Sequence, residues 1–245
     1  MPVPSYVTYY ILIASVGILA VLLWGLRQAV DRTGWNEAER RATLRTASAL
    51  FVIWFALALT LAWADFFRGQ TIPTIQFGVF VPIAVAAVLL WRSTRVRQLI
   101  DAIPQSWLVG FQFYRVLGLI FLVLLSEDRL PSAFAAPAGS GDVAIGLLAI
   151  PLAYAYARGL PGRDWLVGAW NVLGLLDLIV AITTGFLSSP SPFQLLALDA
   201  PNELISAFPL VMVPIFGVPL AVMLHLASLA KLSRRSVRMI VPLAA

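Results

Sequence analysis

Long apolar runs broken by short polar segments dominate this chain from end to end. A helix needs about 20 apolar residues to cross the hydrocarbon of a bilayer. On that measure the pattern predicts seven helices, at about 6–26, 46–66, 77–91, 107–125, 142–157, 165–186 and 203–230. The third and fifth are short and carry Pro82 and Pro151. The connecting segments are too short for a separate soluble domain. The expected fold is therefore all-α: a polytopic transmembrane helical bundle of about seven helices forming a single domain over 1–245. The connection from 188 to 201 holds Pro190, Pro192 and Pro201 beside apolar Phe193, Leu195, Leu196 and Leu198. Such a segment suits a lid or an interfacial stretch.

Composition agrees with this pattern. Hydrophobic residues make up 60% of the chain and charged residues 12%, against about 25% charged in an ordinary soluble domain. The net charge of +5 reflects topology rather than nucleic-acid binding. Fourteen of the seventeen basic residues fall in alternate loops, among them Arg27, Arg32, Arg40, Arg41, Arg45, Arg92, Arg95, Arg97, Arg158 and Arg163, and in the tail with Lys231, Arg234, Arg235 and Arg238. Basic loops stay on the cytoplasmic side, so the N-terminus is expected outside and the C-terminus inside, in a cell (inner) membrane. Tyr6, Tyr9, Tyr10, Trp24, Trp63, Trp91 and Trp107 mark the expected headgroup levels.

The chain has no cysteine and one histidine, His225. Thiolate chemistry and a His-rich zinc site within one chain are excluded, and no metal or cofactor is expected. His225 reads as a hydrogen-bonding residue near the inner end of the last helix. A retinal Schiff base would need a lysine within that helix, and the only lysine, Lys231, follows it.

Ionisable groups within spans are costly and usually face partners. Arg115 falls near the middle of the fourth helix, with Gln112 one turn earlier on a neighbouring face. It reads either as an anion-binding group or as half of a structural ion pair. Asp177 in the sixth helix is its expected partner, with Asn171 to the side. Asp142 follows Ala138-Gly139-Ser140-Gly141 and is expected to cap the fifth helix, with the glycine-rich turn as a candidate anion cradle. Glu203, after Asn202, is expected to open the seventh helix at the outer side. Arg115, Asp177, Asp142, Asn171, Gln112 and Glu203 are thus the candidate binding residues. Pro209, Pro214 and Pro219, with Gly217 among them, make a straight seventh helix unfavourable.

Helices 1–3 and 5–7 run in the same senses, a plan that resembles SWEET and PQ-loop sugar transporters in topology alone. Pro104-Gln105 precedes the fourth helix here, whereas that family places its Pro-Gln pair within the first helix of each repeat. The stretch Tyr114-Arg115, Gly118, Phe121-Leu122, Leu130-Pro131, Phe134, Pro137-Ala138-Gly139 and Gly141-Asp142, with Pro201-Asn202-Glu203 and Pro209, resembles an uncharacterised family of bacterial seven-helix integral membrane proteins. That resemblance covers the C-terminal half, and no activity comes with it.

Three functional classes are compatible with the pattern. One is a transporter or channel for a small solute, an anion if Arg115 serves as its binding group. Another is an intramembrane enzyme acting on a lipid or isoprenoid through Asp177. The third is a membrane sensor or assembly subunit. Expected partners are the lipid bilayer, a small-molecule or lipid ligand, and a second copy in a homo-oligomer.

Overall fold

The structure, a computed structural model, describes residues 3–68 and 74–240, with side chains as far as Arg234. The tail arginines Arg235 and Arg238 lie outside the described side chains. Helices α1 (Ser5–Asp31), α2 (Glu37–Trp63) and α3 (Thr74–Arg92) come first. A short helix α4 (Thr94–Ala102) follows. The fourth span is composite: α5 (Gln105–Phe111), a 3-10 segment (Gln112–Gly118) and α6 (Leu119–Ser126). Then come α7 (Ser132–Ala157) and α8 (Arg163–Ser188). The seventh span joins a π-helical segment (Val213–Gly217) to α9 (Val218–Ile240). Among the described residues, seven helices are long and apolar enough to cross a membrane. The all-α expectation holds.

Contacts at the helix ends show an up-and-down arrangement. Tyr6 donates to Glu127 at one end of the bundle, where Trp63 also meets Phe208 edge to face. At the opposite end Arg40 pairs with Asp31 and Arg234 with Asp101. That second end carries the arginine-rich loops.

Two helices begin or lie where the apolar pattern is silent. Asn36 caps α2 and Glu39 closes the box, so α2 starts nine residues before its apolar run and projects its charged first turns beyond it. The segment between the third and fourth spans, expected as a loop, contains α4. Ser93 caps α4 through Val96 N–H at 3.3 Å. Lys231 donates to the carbonyls of Ile100, Asp101 and Ile103 at its C-terminal end. Carbonyls at a helix C-terminus lack intrahelical N–H donors, and a lysine is a common substitute.

The seventh span sits at the centre. It touches α1, α2, α3, α8 and the fourth span. Phe216 anchors it between Trp54 and Phe55, with ring centroids 4.9 and 5.1 Å away. In its most apolar window 56% of residues are buried within the bundle, against 11% in α3. The inner spans therefore carry most of the protein–protein packing, while α3 leaves most of its surface to lipid.

The prolines act as the pattern predicts, with one correction of extent. The seventh helix does not begin at 203. Leu204–Ser206 form a single 3-10 turn, and the chain becomes helical again only near Val213. Pro209 and Pro214 remove two N–H donors from this stretch, which blocks a continuous α-helical ladder.

The fifth helix is corrected in the opposite sense. Residues 138–141 do not form a glycine-rich turn. They lie inside α7, which starts at Ser132 after Pro131. Asp142 is consequently a mid-helix residue, not a cap.

Candidate functional site

Arg115 lies ten residues from the start and eleven from the end of the fourth span. The 3-10 geometry explains how it is presented. With three residues per turn, side chains at i, i+3 and i+6 eclipse one another. Gln112, Arg115 and Gly118 form such a column, and all three are buried. Phe113 and Leu119, off that column, are exposed. Gln112 therefore shares a face with Arg115 instead of lying on a neighbouring one.

The guanidinium is enclosed on every edge. Its Nε donates to Asp142 Oδ1 at 2.8 Å. Its Nη2 donates to Asp177 Oδ2. Its Nη1 donates to Gly174 O at 3.4 Å and meets His225 Nε2 at 3.2 Å. Helices α7, α8 and α9 thus converge on one cation held by the fourth span. The side chain of Arg115 is 2% exposed, while those of Asp142 and Asp177 are 14% and 15% exposed.

The hydrogen bonds fix the protonation of His225. A guanidinium only donates, so Nε2 must accept and Nδ1 must carry the proton. Nδ1 then donates to Asn171 Oδ1 at 2.8 Å. Asn171 Nδ2 donates to Ser228 Oγ at 2.8 Å and to Val167 O at 2.7 Å. Ser228 Oγ also accepts from Gln105 Nε2 at 2.6 Å. A buried chain of side chains therefore runs from Arg115 to the start of the fourth span, near the arginine-rich end. Gln112 donates separately to Ala221 O at 2.9 Å, and its Oε1 is buried without a hydrogen-bond partner in the structure.

Close approach at this centre depends on missing side chains. A Cβ on Gly174 would overlap the His225 ring. A Cβ on Gly118 would lie 2.6 Å from Asp142 Oδ2. Glycine at these positions lets the fourth span approach α7, and α8 approach α9, closely enough to assemble the cluster.

On the other side of Arg115 lies a cavity of about 60 Å3. Its walls come from α1 (Tyr10, Ser15), the 3-10 segment (Tyr114, Gly118) and the π segment (Phe216, Gly217), with Asp142 and Arg115 among them. Tyrosines pin the two irregular segments here. Tyr114 donates to Gly217 O at 2.7 Å, and Tyr10 donates to Leu117 O at 2.8 Å. That volume accommodates a few water molecules; ordinary ligand pockets are about 300–1,000 Å3.

Of the six residues expected at the site, the fold joins five to one polar region and leaves one out. Arg115, Asp142 and Asp177 are in direct contact. Asn171 joins through His225, and Gln112 lies in the column with Arg115. Glu203 is exposed beside the 3-10 turn Leu204–Ser206, outside the cluster. His225, expected near a helix end, is fully buried at the centre. A helix running from 203 would put His225 near its end. The span runs from Val213, which puts His225 near its middle. Ser228, one turn further on the same face, was the available signal. Among the described residues, no three His, Asp or Glu side chains are grouped as a metal site would need.

Seven apolar spans around a buried arginine bonded to two carboxylates define a multi-pass membrane protein with a charged core. The chain belongs to the family described as a domain of unknown function (DUF8737), whose model matches residues 72–233. The match includes every member of the polar cluster and leaves out α1 and α2. It is broader than the C-terminal half in which a family resemblance was expected. No curated protein and no solved structure shows significant similarity.

Proposed function

We propose that this chain is a transporter of the inner membrane, with its N-terminus outside, that moves a small solute past the Arg115–Asp142–Asp177 centre. One observation carries the reading. A charged cluster near mid-depth borders a cavity where two spans depart from α-helical geometry. Irregular backbone within a membrane survives where protein buries it or where it lines a cavity, and transporters place their sites at such interruptions. A purely structural ion pair needs no cavity beside it.

The charge balance selects the solute class. Four of the guanidinium's five N–H groups are engaged by protein. No fork remains for an anion, and two carboxylates face one cation. The centre suits a neutral or cationic solute, not the anionic one that Arg115 alone suggests. In the described conformation the cavity is large enough for a few waters and too small for a solute of ordinary size. Movement of the 3-10 and π segments would enlarge it.

Proteoliposomes offered alkylamines, sugars and neutral amino acids test this. Uptake by the native protein that is lost in Asp177→Asn, at unchanged melting temperature, is the expected result. Uptake no greater than in empty vesicles for all three classes would overturn the reading.

A further inference from the structure

Arg115 carries one positive charge, and Asp142 and Asp177 bring two potential negative ones. With both carboxylates ionised, the cluster holds an unbalanced charge deep in a low-dielectric interior, which is strongly unfavourable. A further positive charge is therefore required in at least one state of the protein, and Asp142 is placed to receive it. Of the two carboxylates it is the one that lines the cavity. Its Oδ1 is occupied by Arg115 Nε at 2.8 Å. Its Oδ2 lies over Gly118, another cavity residue, where the absence of a Cβ leaves it room.

We propose that Asp142 is a proton-binding site that exchanges with water in the cavity between α1, the fourth span and the seventh span. A hydronium ion in the cavity gives its proton to Asp142 Oδ2 and becomes water. Oδ1 still accepts from Arg115 Nε, but the bond is no longer an ion pair. Arg115 and Asp177 remain as a neutral pair, and α7 loses its electrostatic hold on the fourth span.

The surrounding groups favour a proton over a metal ion. From the 3-10 segment, Arg115 and Tyr114 face Asp142. Asp177 shares the Arg115 guanidinium with it from α8, and Tyr10 borders the cavity from α1. The seventh span presents apolar residues and Gly217 to the cavity, and its His225 stands beyond the guanidinium. A hard metal cation needs several oxygen ligands. The carbonyls of Leu117 and Gly217, which could serve, already accept from Tyr10 and Tyr114. Any metal on Asp142 would also sit within a few ångströms of Arg115. A proton needs one free carboxylate oxygen.

Coupling of that proton to solute movement rests on the transporter reading; the proton site itself does not. Infrared difference spectra of the purified full-length protein in detergent, recorded through a pH titration, test the site directly. The native protein is expected to show a pH-dependent C=O stretch of a protonated carboxyl group. Asp142→Asn should lack it, and Asp142→Glu should show it at a shifted wavenumber. An identical band in either variant, or no titrating band in the native protein, would overturn the proposal. Should Asp142→Asn fail to fold, the native and Asp142→Glu spectra still decide. Solute uptake measured alongside separates the two ideas. A titrating Asp142 without uptake defeats transport alone, and uptake without a titrating band defeats the proton site alone.

Discussion

Helices α1–α3 and the four later spans solve the same solvent problem in different ways. The first three are apolar around most of their circumference and keep their charges at the ends, as in the Glu37, Glu39, Arg40 and Arg41 turns of α2. Each is an uninterrupted α-helix, and Pro82 does not break α3. The later spans admit Gln105, Gln112, Arg115, Asp142, Asn171, Asp177, His225 and Ser228, and two of them lose regular geometry. Polar residues in a span survive only where other protein covers them, and the burial figures follow that rule. The contrast teaches where this protein concentrates its energetic cost: in the part that surrounds the cavity.

Breaking the centre should cost most. Arg115→Met strands two largely covered carboxylates and is expected to destabilise the protein by up to about 3–5 kcal/mol, measured by reversible unfolding in mixed micelles. Adding Asp142→Asn and Asp177→Asn to it should restore much of that loss. A triple variant no more stable than Arg115→Met would show that charge is not the cause.

Gly174→Ala probes packing at the same place without altering charge. Its Cβ would meet the His225 ring, and overpacking of this kind costs about 1–3 kcal/mol. An unfolding free energy equal to that of the native protein would mean that α8 and α9 can separate freely. The outer helices should respond least. Ile53 of α2 is 63% exposed, so Ile53→Ala should change stability by no more than about 0.5 kcal/mol. A larger loss in the same assay would place a protein partner, rather than lipid, on that face.

The spans were legible because lipid imposes one simple demand, a long apolar helix, that any sequence must show. The Arg115–Asp177 contact was legible for a related reason: a charge at that depth requires a counter-charge, and few were available. The second carboxylate was misread. Glycines 139 and 141 suggested a turn before Asp142, yet in α7 Gly139 serves close packing against Leu122. The histidine was missed because a stretch rich in proline was counted as helix, which shifted the apparent depth of His225 toward the end of its span.

Hydropathy and charge along the chain are enough to establish the solvent of this protein, the number of its spans and the presence of a buried cation that needs neutralising. Those are properties of single helices in oil, set by transfer free energies that each segment carries alone. Helix packing is what makes two carboxylates share one guanidinium, a neutral histidine complete its shell, and a cavity open beside Asp142. Those depend on which helix faces meet, on a 3-10 column that turns Gln112 and Arg115 the same way, and on glycines that let backbones approach. No pattern along one helix encodes them, because each contact joins residues from different spans.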